Sequence, residues 1–189
     1  MKNLEKSKVR HTIIDLRNKM TEDECMVKST VILKKLYGLD AFLRAYKVGM
    51  YASINNEVIT YPLINRAQLL DKGVSFPIVT DPDNRIMEFR YILKVSDLKK
   101  GYMSIPEPVD SKTVMTCPDV LIMPLVAFDD NLNRVGYGKG FYDNYLCNHP
   151  EIVKIGLAYE CQKVGSIDAA ENDICCDYII TEENIYERD

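Results

Sequence analysis

The segment Arg134-Val-Gly-Tyr-Gly-Lys-Gly-Phe-Tyr-Asp143 constrains this chain more than any other. Gly136, Gly138 and Gly140 stand at alternate positions and open the backbone to φ values that other residues avoid. An apolar run, Val120 to Phe128, comes before the segment, and a helix-like stretch, Phe141 to Asn148, comes after it. Strand, glycine turn and helix in that order make an anion site, because a helix N-terminus offers unpaired N–H donors and partial positive charge. Lys139 adds a mobile point charge among the glycines, and Asp143 follows one turn later as a possible metal ligand. The glycine spacing fits neither a Walker A loop nor the dinucleotide fingerprint. A purely structural turn is the competing reading. Arg134, Lys139 and Asp143 weigh against it, since they are the residue types that phosphate sites use.

The rest of the chain alternates between helical and strand periodicity. Val9, Ile13, Leu16 and Met20 recur at helical spacing, which predicts a first helix from about Asn3 to Lys19. Lys6, Arg10 and Arg17 fall within roughly 40° of one another at ~100° per residue, on the edge of that stripe. Thr21-Glu-Asp-Glu24 has the form of a capping box, so a second helix should run from Glu22 to about Tyr37. A short helix is expected over Ala41 to Ala45 and another over Tyr61 to Asp71. Strands are expected at Lys47 to Ile54, Val74 to Val79, Met87 to Ile92, Val120 to Leu125, Lys154 to Tyr159 and Tyr178 to Thr181. The Val120–Leu125 stretch is apolar throughout, as a parallel strand buried on both faces would be. The Pro-rich Ile105-Pro-Glu-Pro108 reads as a surface loop. This order implies an α/β sandwich of mainly parallel strands in one domain spanning 1–189.

Ligands of such sheets bind beyond the carboxyl ends of the strands. The glycine segment and Ser53-Ile-Asn-Asn-Glu-Val58 both lie there. Asp173 to Asp177 precede the last strand and fall at the opposite edge unless their loop folds over.

Bulk properties narrow the classes. A chain of 189 residues can bury about 70% of its unfolded surface. A net charge of −4 argues against a broad nucleic-acid footprint but leaves room for a local basic pocket. The N-terminus shows no secretory h-region, and Val120 to Phe128 is too short to span a bilayer. The six cysteines fit no metal spacing, and they read as reduced thiols of a cytoplasmic protein. His11 and His149 lie outside the informative segments, which disfavours His-based acid–base chemistry.

Taken together, the segments resemble the 5-formyltetrahydrofolate cyclo-ligase (5,10-methenyltetrahydrofolate synthetase) family over nearly the whole chain. Met123-Pro-Leu-Val-Ala-Phe-Asp129 followed by Arg134–Asp143 carries most of the resemblance. Lys6-x-x-x-Arg10, Tyr51-x-Ser-x-x-x-Glu57-Val-x-Thr60, Ile105-Pro-Glu-Pro108 and Asp177-Tyr-Ile-Ile-Thr181 support it by order and spacing. The resemblance implies a three-layer α/β fold similar to ribose-phosphate isomerases and CoA transferases. It also implies ATP- and Mg²⁺-dependent conversion of 5-formyltetrahydrofolate to 5,10-methenyltetrahydrofolate, with ADP and phosphate released.

By the same resemblance, Lys6, Arg10, Arg134, Gly136, Gly138, Lys139, Gly140 and Tyr142 would contact ATP. Arg134 and Lys139 would act on the transferring phosphoryl group, and Asp143 and Asp177 would hold Mg²⁺. Ala52, Glu57, Tyr137, Gly138, Lys139, Gly140 and Phe141 would contact folate. The bland alternatives are solvated charges for Lys6 and Arg10, a helix-start acid for Asp143, a turn residue for Asp177 and a loop acid for Glu57. Tyr137 stands where some members have Arg, and Phe141 where Tyr is usual, which implies altered folate affinity. The expected partners are small molecules, with neither nucleic acid nor membrane, and the expected state is a monomer. The rival functions are a reduced-folate buffering protein without turnover, and a sugar-phosphate isomerase or CoA transferase.

Overall fold

The computed structural model describes residues 6–109 and 112–188. The expected start of the first helix, Asn3 to Glu5, lies outside the described residues. Three helices come first: α1 (Lys6–Arg17), α2 (Glu22–Tyr37) and α3 (Asp40–Arg44). The α2 start is set by the capping box: Glu24 N donates to Thr21 Oγ1 at 3.2 Å, and Thr21 N donates back to Glu24 Oε2 at 2.8 Å. Such a cap contributes about 1 kcal/mol. Strand β1 (Lys47–Gly49), helix α4 (Pro62–Gln68), and strands β2 (Gly73–Asp81) and β3 (Ile86–Tyr91) follow.

The middle of the chain holds β4 (Leu98–Lys100), β5 (Pro106–Pro108), β6 (Val114–Met115) and β7 (Val120–Pro124). Then come the two-residue strands β8 (Ala127–Phe128) and β9 (Arg134–Val135), helix α5 (Phe141–Cys147), and strands β10 (Val153–Leu157), β11 (Tyr178–Ile180) and β12 (Ile185–Glu187).

Eight strands form one sheet in the order β12-β11-β10-β7-β1-β2-β3-β6. The five inner strands, β11 to β2, are parallel, and β12, β3 and β6 pair antiparallel at the two sides. The β7 strand alternates between two cores. Val120 and Ile122 pack with Ile32, Leu36, Phe42, Leu63 and Ile64 from α2, α3 and α4. Leu121 and Met123 face the other way, toward Leu146 of α5, Phe89 and Phe128. Burying each such side chain contributes about 1.5–3 kcal/mol, which explains the unbroken apolar run. The result is the expected three-layer α/β sandwich with a mainly parallel central sheet.

Three expectations change. The strand foreseen over Lys47 to Ile54 leaves the sheet after Met50, whose N–H still reaches Ser75 O at 2.9 Å. Beyond it, side chains take the carbonyls that a strand partner would use: Thr60 Oγ1 donates to Tyr51 O at 2.7 Å, and Tyr61 Oη donates to Ser53 O at 3.2 Å. The Pro-rich segment is a strand, β5, paired with β4, because each proline occupies a position at which β4 asks no donor of it. In α1, Leu16 is exposed and Arg17 is buried in its place. Val9 and Ile13 do pack inward, against Val126, Ala127, Val135 and Ile167. That third cluster seats α1 at the end of the sheet where β7 exits.

Candidate active site

After Pro124 the chain leaves the sheet and turns through the β8–β9 hairpin. Val126 N donates to Val135 O at 2.7 Å, so Gly136 begins beside the carboxyl end of β7. Gly138 (φ 92°) and Gly140 (φ 73°) adopt the left-handed backbone that glycine tolerates. A Cβ on Gly138 would lie 3.2 Å from Arg10 Nη2, so the second glycine also makes room for a guanidinium. Helix α5 starts directly after Gly140 but has only seven residues. Its dipole is correspondingly short, and the positive potential here comes chiefly from side chains.

Those side chains come largely from the basic face of α1. Arg10 Nε donates to Gly136 O at 2.8 Å, and Arg17 Nη2 donates to Tyr137 Oη at 2.6 Å. Lys6 pairs with Asp173. All three residues of the narrow basic arc therefore meet either the glycine segment or the loop beside it. Arg134 is buried and donates to Asp143 Oδ1 at 2.7 Å, while its Nε has no hydrogen-bond partner. Lys139 is exposed and makes no side-chain hydrogen bond or ion pair among the described residues. Arg85 adds a further cation: its Nη1 lies 3.5 Å from where a Cβ on Gly140 would be.

A buried polar chain runs inward from Tyr137. Its hydroxyl accepts from Arg17 and donates to Glu57 Oε1 at 2.5 Å, while Glu57 Oε2 accepts from Ile54 N at 2.9 Å. Glu57 is 4% exposed, and burial raises its carboxyl above the ordinary 4.5, partly offset by the Tyr137 and Ile54 hydrogen bonds. The loop is fixed from behind, since Tyr159 Oη donates to Glu57 O at 3.0 Å and Tyr51 Oη to Val58 O at 2.9 Å. Ala52 is buried in the same loop. Burial likewise raises the phenols of Tyr137 and Tyr142 well above their usual range. Phe141 meets the Tyr102 ring edge-on, with centroids 5.8 Å apart.

The acidic positions divide. Asp143, in the first turn of α5, accepts from Arg134 and, at 3.2 Å, from Ile174 N. Asp177 stands at the amino end of β11, where its carboxylate accepts from Lys154 N at 2.8 Å and pairs with Lys154 Nζ at 2.9 Å. The loop before β11 folds over only in part. Asp173 and Ile174 reach Lys6 and Asp143, and Asp177 stays at the sheet's amino edge. The residues that join the site without having been assigned a role there are Arg17, Asp173, Arg85 and Tyr102. Arg17 had a signal, its place in the basic arc of α1. Arg85, in the β2–β3 turn, had none.

Fold and site together define a class: three-layer α/β proteins that carry a cation-ringed glycine segment outside the carboxyl end of a central parallel strand. Residues 2–182 match the 5-formyltetrahydrofolate cyclo-ligase family, and the chain belongs to that family of enzymes. It is 33% identical over 148 residues to a 5-formyltetrahydrofolate cyclo-ligase of Escherichia coli, covering 76% of this chain and 81% of the relative. It is 32% identical over 136 residues to one from Haemophilus influenzae, covering 69% and 73%. Among solved structures it is similar to the 5,10-methenyltetrahydrofolate synthetase of Aquifex aeolicus, with a TM-score of 0.83, 29% identity, and 96% and 92% of the two chains covered. A synthetase from Mycoplasma pneumoniae shares the fold, with a TM-score of 0.76, 23% identity, and 95% and 99% of the two chains covered.

Proposed function

We propose that this enzyme cyclises 5-formyltetrahydrofolate to 5,10-methenyltetrahydrofolate, consuming ATP with Mg²⁺ and releasing ADP and phosphate. The observation that carries the reading is the ring of Arg10, Arg85, Arg134 and Lys139 around Gly136–Gly140, beside the buried acid Glu57. A formamide oxygen is a poor nucleophile and its carbon a poor electrophile. Transfer of the γ-phosphoryl to that oxygen gives an iminium phosphate, which N10 of the folate attacks to close the ring. Loss of phosphate then leaves the methenyl bridge. Positioning and charge neutralisation are what such a transfer requires of a protein.

Lys6, Arg10, Gly136, Gly138, Gly140 and Tyr142 are assigned to the nucleotide in this reading. Arg134 and Lys139 neutralise charge on the transferring group. Lys139 suits this task because it is unengaged, and Arg134 because its Nε is buried without a partner. Ala52, Glu57, Tyr137, Phe141 and the same glycine segment are assigned to the folate. Both Glu57 oxygens already have one partner, but each has a second lone pair for the donors of a pterin edge.

Mg²⁺ requires only one or two carboxylates, with phosphate oxygens and waters completing an octahedron. Asp143 fits that role, next to the glycine segment. Asp177 joins it only if the loop rearranges and frees the carboxylate from Lys154. The ion held there would supply charge neutralisation to the phosphates. We further take the enzyme to be a cytoplasmic monomer. Its cysteines are free thiols, and no described helix is long and apolar enough to cross a membrane.

The test is absorbance of the methenyl chromophore with purified protein, 5-formyltetrahydrofolate, ATP and Mg²⁺. Product and ADP should form in equal amounts, and both should vanish without ATP. Folate binding with no ATP consumed would instead identify a buffering protein.

A further inference from the structure

Cys117, His149 and Glu151 come together on the sheet edge opposite the glycine segment, just before the amino ends of β7 and β10. Cys117 Sγ lies 3.2 Å from Glu151 Oε1, and His149 Nδ1 lies 3.7 Å from the same oxygen. The three ligand atoms all fall within 4.8 Å of one another. In a tetrahedral zinc site with bonds of about 2.0–2.3 Å, neighbouring ligand atoms stand ~3.3–3.8 Å apart. The first separation falls just short of that range and the second lies within it. We propose that Cys117, His149 and Glu151 form a binding site for one thiophilic divalent cation of the zinc type, with the fourth position open to water.

The ligand set selects the metal. Thiolate and imidazole favour zinc and its neighbours, whereas Mg²⁺ prefers carboxylate, phosphate and water oxygens. This site is therefore separate in chemistry as well as in place from the Mg²⁺ position assigned to Asp143.

The scaffold holds the ligands on two short connections. Cys117 precedes Pro118 at the entry to β7. His149 and Glu151 flank Pro150 on the link from α5 to β10, where His149 N donates to Leu146 O at 3.0 Å and Ile152 N to His149 O at 3.3 Å. Pairing of Val153 with Val120 fixes the two connections side by side. The Tyr145 ring lies on the imidazole, centroid to centroid 4.5 Å, and restricts its orientation. A cavity of about 640 Å³ between α5 and the β3–β6 pair, lined in part by Thr116, Tyr145, Asn148 and His149, opens the imidazole to solvent.

Binding replaces the thiol's S–H with a sulfur–metal bond and releases that proton to solvent. Without metal, the same proton is donated from Sγ to Glu151. The rival account is therefore a thiol–carboxylate hydrogen bond with a histidine nearby.

The experiment uses the full chain, reduced and free of any affinity tag, titrated first with Co²⁺ and then with Zn²⁺. One Co²⁺ per chain should bind, giving thiolate-to-cobalt charge transfer in the near ultraviolet and the intense visible bands of a tetrahedral ion. Zn²⁺ should displace it. Cys117→Ser should abolish the charge-transfer band and weaken Zn²⁺ by more than the ~10–100-fold that loss of an outer-shell partner costs. Glu151→Gln should weaken Zn²⁺ and keep the band. Cys147→Ser, an exposed thiol outside the cluster, should change neither. A band that survives Cys117→Ser, or the lack of a one-to-one complex in the wild type, overturns the site. Should Cys117→Ser fail to fold, His149→Ala decides: cobalt affinity equal to wild type overturns the proposal.

Discussion

Tyr137→Phe removes one hydroxyl and keeps the ring, so it isolates the hydrogen bonds that link Arg17 to Glu57. The ring itself lies 5.9 Å from the Arg17 guanidinium carbon, a contact Phe preserves. Arg17 is 2% exposed, and its Nε and Nη1 already lack partners. Losing the 2.6 Å bond to Tyr137 leaves its head group without a side-chain acceptor among the described residues, and Glu57 Oε1 loses its 2.5 Å donor. A hydrogen bond to a charged group contributes about 1.5–3 kcal/mol, so two give an upper bound of about 3–6. Tyr137 is 40% exposed, and water entering from that side recovers part of the loss. The expected destabilisation is therefore about 1.5–3 kcal/mol in urea unfolding, with the m-value unchanged. Arg17→Met removes the charge that the hydroxyl serves. In a double-mutant cycle the combined variant should thus cost less than the sum of the two. A Tyr137→Phe effect below about 0.5 kcal/mol, the range of ordinary surface changes, would refute the reasoning. Strict additivity would do the same.

Lys139→Ala should lower kcat roughly 10²–10³-fold while leaving folding intact, because the side chain is exposed and unengaged. A raised KM for ATP with normal kcat would remove it from the transfer step. Asp143→Asn should raise the Mg²⁺ concentration for half activity more than Asp177→Asn does, since Asp177 is held by Lys154. Equal shifts that are non-additive in the double variant would show that both carboxylates serve one ion. Glu57 gives a pH test. Its folded-state pKa is raised by burial, so its contribution to stability is full below 4.5 and is lost as pH rises through the raised value. Wild type should gain stability relative to Glu57→Gln as pH falls from neutral toward 4.5. A difference independent of pH would place the carboxyl in water.

Sequence periodicity located the elements that bury long apolar faces and missed those made by pairing alone. Helix α2 starts where Thr21 and Glu24 said it would, and β7 announced itself by burial on both faces. The two-residue strands β6, β8 and β9 are too short to show a period, and β12 exists because β11 offers it an edge. In the site, the glycine segment with Arg134 and Lys139 was legible because local spacing encodes it, whereas Lys6 and Arg10 were assigned by the family resemblance. The partition of Asp173 from Asp177 was not, since it depends on how far one loop folds over a sheet edge. Arg85 was equally hidden, because only the turn between β2 and β3 brings it near Gly140. Cys117, His149 and Glu151 converge through the pairing of β7 with β10, a relation that no linear spacing records.

The docking of α1 sets a schedule on the site. Lys6, Arg10 and Arg17 are synthesised first, yet the groups that receive them, Asp173, Gly136 and Tyr137, lie 120 to 167 residues later. During synthesis at about 5–20 residues per second, the helix waits roughly 6–33 seconds for its seat. In the finished protein α1 is held by one small apolar cluster, Val9 and Ile13 against Val126, Ala127, Val135 and Ile167, and by its three cations. Such segments open locally far more often than the whole protein unfolds. Each opening withdraws Arg10 and Arg17 from the glycine segment and Lys6 from the loop beside it at once. Amide exchange in α1 therefore serves as a gauge of how often the site is whole, and a nucleotide that bridges Arg10 and Lys139 would slow that exchange without touching the core.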